Sequence, residues 1–276
     1  MTYNVKNNSE QVNGWMWPDR RPHLVAVIRS VTPSILGIQE GNDRDGAHPA
    51  DDLSADLAEY DTVSTSASPG SDSTSIFWQR DRFTRSFASI RRFSGTAATP
   101  CQANDYWNVV ELDDLAAPGK KVRVANLHLI PGGLSDSRAA QLNCTTAMSS
   151  PAARHAENNE RTADVIGWIN RRNQTVSMPT VVLGDLNSPS TQCSGVVKAP
   201  DRLASAGYSS VHALTSCNRS TTWDKWATQA TGSKKAIDYI FRSVGLTTTG
   251  GDFASSQTFG GKAPSDHRPF YARYRY

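Results

Sequence analysis

Short apolar runs that stop abruptly at a chemically competent polar residue constrain this chain more than any other feature. Ser34-Ile-Leu-Gly-Ile-Gln39 runs into Glu40, Lys121 to Leu129 contains Asn126-Leu-His128 near its end, and Thr180-Val-Val-Leu-Gly184 runs into Asp185. Ala236-Ile-Asp-Tyr-Ile-Phe241 carries Asp238 inside the run itself. Apolar runs of this length, bounded by polar residues, read as buried strands. Thr2 to Lys6, Ser75 to Gln79, Trp107 to Leu112 and Phe270 to Tyr274 read as further strands. Helical spacing marks other segments. One helix starts at Pro18 and continues through His23 to Val31, and Asp51 to Glu59 is a short one with Leu53 and Leu57 four apart. Ser135 to Met148 and Ala152 to Asn170 complete the set, the latter with Val165, Ile166 and Ile169 on one face. Strands and helices mix without the strict alternation of a simple parallel sheet. No Pro/Ser linker divides the chain, so one α/β sandwich domain over residues 1–276 is expected.

Composition narrows the classes. The chain's 276 residues suffice for a sizeable core, and a hydrophobic fraction of 38% with 19 Gly is ordinary for a globular protein, which excludes bulk disorder. No stretch approaches the roughly 18 consecutive apolar residues of a membrane span. Ser64 to Ser75, rich in Ser and Thr, reads as a loop. A net charge of +3 does not demand a polyanionic partner, but 21 of the 29 basic residues are Arg. Arginine grips phosphate bidentately, so the bias suits a phosphate-handling surface; a GC-rich genome gives the same bias. The four cysteines form no CxxC pair, which argues against a zinc ribbon or a thioredoxin-type motif. Met1 is followed at once by a strand, the abrupt start expected where a leader has been removed.

The polar strand-end residues form one candidate set: Glu40, His128, Asp185, Asn187, Asp238, Asp266 and His267. Each alone has an ordinary explanation. An acid after a strand forms a turn or caps a helix, and a single histidine packs in a core. Charged groups within buried strands are costly unless paired or ligated, however, and Asp238 and His128 are such groups. In α/β folds, residues at strand ends converge on a site.

In chain order, Tyr3-Asn4-Val5, Gly37-Ile-Gln-Glu40, Asn126-Leu-His128, Gly184-Asp-Leu-Asn187, Ile237-Asp238 and Ser265-Asp-His267 resemble the motifs of the endonuclease/exonuclease/phosphatase superfamily, the deoxyribonuclease-I-like fold. The resemblance spans residues 2 to 274. It implies a four-layered α/β sandwich, with two mixed sheets packed face to face and helices outside. It also implies metal-dependent hydrolysis of phosphate esters, usually with Mg2+ and alternatively with Mn2+ or Ca2+. Such a hard cation keeps several waters and needs only one or two carboxylates. By this resemblance Glu40 is the main metal ligand, Asn4 lies beside it, and Asp266 is a second carboxylate. Asp185 orients or deprotonates the attacking water, and Asn187 holds the scissile phosphate. His267 binds a phosphate oxygen, while Asp238 fixes its tautomer and keeps it cationic. His128 matches a second histidine that protonates the leaving group. Asp72 is the candidate carboxylate behind His128, where family members often carry Glu; a turn Asp in a Ser-rich loop is the alternative. The reaction implied is in-line attack of water on phosphorus without a covalent enzyme intermediate.

These motifs fix the reaction class and leave the substrate open. Lys234-Lys235, just before the Asp238 strand, is placed either to grip backbone phosphates or to form a solvated turn. Trp15, Trp17, Arg20 and Arg21 follow the first strand, and either stack bases and clamp a phosphate or pack the helix start. No apolar loop suited to bilayer insertion stands out. The leading expectation is a secreted, monomeric nuclease acting on DNA or RNA, with no stable protein partner and no membrane insertion. A phosphatase or phosphodiesterase acting on small phosphorylated molecules or phospholipid head groups comes second. A nonenzymatic binding module on the same scaffold comes last, since no catalytic position is broken. The resemblance to secreted deoxyribonucleases further implies a Cys193–Cys217 disulfide, with Cys101 and Cys144 as the remaining pair, and hence an oxidising compartment. Four buried free thiols in a cytosolic protein are the alternative.

Overall fold

The computed structural model describes residues 1–6, 16–42, 48–64, 74–93, 105–131, 150–190, 197–211, 236–254, 261 and 263–276. Trp15, Asp72, Lys234, Lys235, the four cysteines and the helix expected over 135–148 lie outside the described residues.

Twelve strands and four helices are described. In chain order they are β1 (Thr2–Asn4), α1 (Trp17–Val31), β2 (Ile35–Gln39), α2 (Pro49–Asp56), β3 (Tyr60–Ser64), β4 (Ser75–Gln79), β5 (Phe83–Arg92) and β6 (Tyr106–Asp114). They continue with β7 (Lys121–His128), α3 (Pro151–Thr175), β8 (Thr180–Asp185), α4 (Ala199–Ser205), β9 (Ser209–Ser210), β10 (Asp238–Arg242), β11 (Thr247–Phe253) and β12 (Phe270–Arg275). Helix ends follow local chemistry. Ser150 caps α3, its side chain accepting from the Ala153 N–H, and a proline occupies the first turn of α1, α2 and α3. Asp19 in α1 and Asp51 and Asp52 in α2 place negative charge at the positive end of the helix dipole.

The strands form two mixed six-stranded sheets, ordered β11-β12-β1-β2-β4-β3 and β5-β6-β7-β8-β10-β9. Alternation along each strand builds three apolar layers. Leu36, Ile38 and Phe77 turn outward beneath Trp17, Leu24, Ile28 and Leu53 of α1 and α2. Val109, Ala125, Leu127, Val182 and Phe241 turn outward from the second sheet beneath Val165, Ile169 and Leu203 of α3 and α4. Ile76, Trp78, Val110, Val124, Leu183, Ile240 and Phe270 fill the space between the sheets. The result is the four-layered α/β sandwich, with β1, β2, β4, β6, β7, β8 and β10 buried on two faces as their short apolar runs require.

A polar seam also lies between the sheets. Gln39 of β2 donates to the Asn126 side-chain oxygen at 2.7 Å, and the Asn126 amide donates to the carbonyls of Ile38 and Ser75 at 2.8 and 2.9 Å. These bonds lock the register of one sheet against the other, directly beneath the polar strand ends.

Several boundaries differ from the sequence expectation. The short helix ends at Asp56 rather than Glu59, because Leu57 to Tyr60 makes the tight turn into β3. The long helix extends to Thr175, and the strands β3, β5, β9 and β11 and the helix α4 were not anticipated. Only Phe83 of the ten β5 residues is buried, and β11 reads Thr-Thr-Thr-Gly-Gly-Asp-Phe. Neither carries an apolar run, and both hold their place by pairing with a neighbouring strand, β6 and β12.

Candidate active site

Strand pairing gathers the predicted residues at one edge of the sandwich. In the second sheet, Asp185 at the end of β8 is the register partner of His128 on β7 and of Asp238 on β10. Register partners share a face, so the three side chains stand in a row. In the first sheet, Asn4 ends β1 beside Gln39, and Glu40 follows immediately. Ser265 joins the β12 approach to this edge: its hydroxyl donates to the Asn4 carbonyl at 2.7 Å and accepts from the His267 N–H at 3.2 Å.

Asp185 is the hub. Its Oδ1 accepts from the Asn187 N–H at 2.8 Å, and its Oδ2 accepts from Asn4 Nδ2 at 3.1 Å. The same Oδ2 lies 3.6 Å from His128 Nε2 and 3.7 Å from His267 Nε2. Behind His267, its Nδ1 sits 2.9 Å from Asp238 Oδ2. Asn187 donates its side-chain amide to the Leu129 carbonyl at 2.7 Å. Backbone geometry aims these groups. Four described non-glycine residues have positive φ, and three of them, Lys6 at 54°, Glu40 at 58° and Asn187 at 47°, are at this edge. Left-handed backbone at a non-glycine residue concentrates where surrounding structure over-determines it, as at binding and catalytic sites. Gly184 allows the close approach of β7 to β8: its φ is 138°, and a Cβ there would stand 1.9 Å from the Leu127 carbonyl oxygen.

Electrostatics divide the titratable groups. Burial, followed by the Asp238 charge, pushes the Asp185 carboxyl up to about 8 in the metal-free protein. Burial alone would lower the His267 imidazole, but the carboxylates of Asp238 and Asp185 outweigh it and push it up to about 10. His267 is therefore cationic at neutral pH, as expected of a group held by Asp238. Burial would likewise raise Glu40, but Lys6, His128, His267 and the Asn4 amide hold it well below the usual carboxylate range.

Among the described residues, two groupings offer a place for a metal. Asp185, Asp238 and His267 bring ligand atoms within 4.8 Å of one another. Both His267 nitrogens face carboxylates, however, and its cationic form has no lone pair for a metal. Glu40 and Asn4 fit a hard cation better. The Glu40 carboxylate is kept ionised although only 13% exposed, and a positive group, Lys6 Nζ, already stands 3.6 Å from its Oε2. Asp266 adjoins the site, and its charge acts on Arg20 and His267.

Not every predicted residue faces the site. Arg20, a candidate either to clamp a substrate phosphate or to pack the helix start, is 1% exposed. It donates to the carbonyls of Val5, Lys6 and Pro264 at 2.7 to 2.9 Å. Arg21 pairs with Asp52 and Asp56 of α2, and the Trp17 indole donates to Asp52 at 2.7 Å. The helix-packing alternative thus describes all three, because fixed carbonyls and carboxylates of the fold already occupy their donors. Sequence reasoning missed Lys6, whose position two residues beyond Asn4 was its signal. It also missed His155, whose Nδ1 lies 3.1 Å from the Ser188 hydroxyl just past Asn187. Burial, then Lys198 and Arg154, push His155 down to about 4, so it is neutral at pH 7.

The model for the endonuclease/exonuclease/phosphatase family matches residues 1–267. A mannosyl-6-phosphatase from Bacteroides thetaiotaomicron VPI-5482 superposes with a TM-score of 0.75 at 18% identity, covering 100% of this chain and 98% of that one. The catalytic domain of human Nocturnin, with bound sulfate, gives 0.66 at 17% identity over 98% of this chain and 92% of that one. TDP2 from D. rerio, complexed with a single-strand DNA product, gives 0.63 at 16% identity over 100% and 97%. Comparison with curated proteins gave no match. At these identities the solved structures establish the shared fold, and with the family model covering nearly the whole length, the chain belongs to the endonuclease/exonuclease/phosphatase family.

Proposed function

We propose that this protein is a divalent-metal-dependent phosphodiesterase that cleaves DNA or RNA by in-line attack of water, with residues 1–276 forming one catalytic domain. Hydrolysis of phosphoester bonds is the chemistry of its family. The observation that carries the reading is the placement of Asp185 Oδ2 between His128 Nε2 and His267 Nε2, with Asp238 behind His267. In this reading Asp185, in its ionised form, orients the attacking water and takes its proton, and His267, held cationic, stabilises negative charge gathering on a phosphate oxygen. His128 is placed to protonate the departing alkoxide, and Asn187 holds the phosphate. Glu40, with Asn4 beside it and Asp266 adjoining, would hold the cation, with Mg2+ the metal proposed. When bound, such a cation neutralises phosphoryl charge and acidifies water.

A second reading has a specific observation behind it. Arg20 and Arg21 spend their donors within the fold, and one structural neighbour is a mannosyl-6-phosphatase. A phosphatase acting on small phosphorylated molecules is therefore the competing proposal. Incubation with supercoiled plasmid, single-stranded RNA, bis(p-nitrophenyl) phosphate and sugar 6-phosphates, with Mg2+ and an EDTA control, separates them. Nicking or RNA cleavage that EDTA abolishes supports the nuclease. Turnover confined to sugar phosphates supports the phosphatase, and no turnover of any substrate across several metals overturns both in favour of a binding module. Asp185→Ala and His267→Ala are each expected to lose at least about 10²-fold in rate while remaining folded.

We also propose secretion of a monomer with Cys193–Cys217 and Cys101–Cys144 disulfides, which an unreduced intact mass and a thiol count test directly. Among the described residues, no helix is long and apolar enough to cross a membrane.

A further inference from the structure

Lys6 is held in place by its backbone. Its φ of 54° is left-handed, its N–H donates to Asn4 Oδ1 at 3.0 Å, and its carbonyl accepts from Arg20 Nη2 at 2.7 Å. Glu40, also left-handed, is fixed from the other side by Asn4 Nδ2 at 3.0 Å. These anchors leave the Lys6 ammonium 3.6 Å from Glu40 Oε2, with both side chains largely shielded from water. The pair is therefore built by the main chain and is not a chance meeting of two surface side chains. Its cost becomes clear when a dication approaches Glu40. A cation at the same carboxylate is repelled by the ammonium, and in a shielded site that repulsion is only partly screened. The four-carbon lysine stem, unlike the strand-end amides, can rotate its charge elsewhere. A phosphate ester held by Asn187 and His267 would be the one new anion at this edge.

We propose that Lys6 is a counter-cation that competes with the divalent metal at Glu40 in the substrate-free enzyme and passes to a phosphate oxygen when substrate binds. The assignment rests on Glu40 as a metal ligand. Its consequence is reciprocal: metal and phosphate tighten one another, because each relieves the ammonium's conflict with the other. The enzyme then carries little metal until substrate is present.

Calorimetric titration of MgCl2 into the metal-free full chain tests this, with and without inorganic phosphate, for wild type, Lys6→Met, Lys6→Gln and Lys6→Arg. In the absence of phosphate, both neutral variants are expected to bind Mg2+ about 3- to 10-fold more tightly than wild type, whereas Lys6→Arg stays within about twofold. Phosphate should tighten Mg2+ binding in wild type and Lys6→Arg and lose most of that effect in the neutral variants. Two neutral replacements guard against one that disturbs the fold. Neutral variants that bind Mg2+ no more tightly than wild type overturn the proposal, as does undiminished tightening by phosphate. If wild type takes up no Mg2+ even in the presence of phosphate, or Glu40→Gln binds it like wild type, the metal reading of Glu40 falls and this proposal falls with it. If wild type binds and only the Lys6 effect is missing, the metal reading stands alone.

Discussion

Asn4 Nδ2 donates to Asp185 Oδ2 at 3.1 Å, from the end of β1 in one sheet to the end of β8 in the other. The same nitrogen donates to Glu40 Oε1 at 3.0 Å. One primary amide has two hydrogens, and here they set the spacing of the two carboxylates assigned to metal and water. Asn4 is itself fixed by Ser265, whose hydroxyl joins its carbonyl to the segment carrying His267. The short strand β1 is thus the point at which both sheets and the last loop agree on one geometry.

Replacing Asn4 by Ala removes both donors and leaves two shielded carboxylates facing each other. The expected outcome is a fall in kcat of at least about 10²-fold with a stability loss of only about 1–3 kcal/mol. Steady-state kinetics beside a urea melt checks the split. A loss of stability with kcat intact would mean that Asn4 serves the fold and not the site.

Asp238→Asn keeps the shape behind His267 and removes the charge. Asp238 is the largest influence raising His267, so the imidazole should fall from about 10 toward or below its ordinary range. Proton NMR of the His267 ring in metal-free protein reads this directly. Wild type should remain cationic at pH 8, whereas the variant should titrate below it and lose activity first at high pH.

The apolar runs made β1, β2, β4, β6, β7, β8 and β10 legible in the sequence, because strands buried on both faces cannot hide their composition, and the aromatic residues of β12 marked that strand as well. The edge strand β5 and the glycine-bearing β11 were not legible, since pairing and not side-chain burial places them. Within the site, the acids and histidines were legible through their strand ends. Lys6 was not, because a lysine after a strand is usually solvated, and only the left-handed backbone of Lys6 and Glu40 brings their charges together. Arg20 was legible as a functional candidate and is structural, because an arginine can satisfy its donors on carbonyls that no sequence pattern reveals.

Arg20→Lys tests that structural role. A lysine cannot span the carbonyls of Val5, Lys6 and Pro264 together, so a destabilisation of about 2–4 kcal/mol is expected. Arg21→Ala, which breaks half-exposed pairs to Asp52 and Asp56, should cost about 1 kcal/mol or less. KM should change little in Arg21→Ala. A marked rise in its KM with no change in stability would return that arginine to the substrate.

The pH dependence of stability follows from the two groups whose protonated forms the fold favours. His267, raised to about 10, contributes stability that is fully present below its ordinary 6.5 and is lost as pH rises through 10. Asp185, raised to about 8, contributes in the same direction: its share is complete below its ordinary 3.8 and is lost as pH rises through 8. Glu40 runs the other way, but its share is already complete above its ordinary 4.5 and so is flat across neutral pH. Between pH 5 and 10 the site of the metal-free protein therefore weakens the fold as pH rises. Asp185→Asn mimics the protonated carboxyl at every pH. Its Tm, measured in EDTA, should approach that of wild type only toward its ordinary 3.8 and exceed it by about 2–6 °C at pH 9, while turnover is lost. Equal Tm values for the two proteins across this range would show that Asp185 is not held protonated by its surroundings.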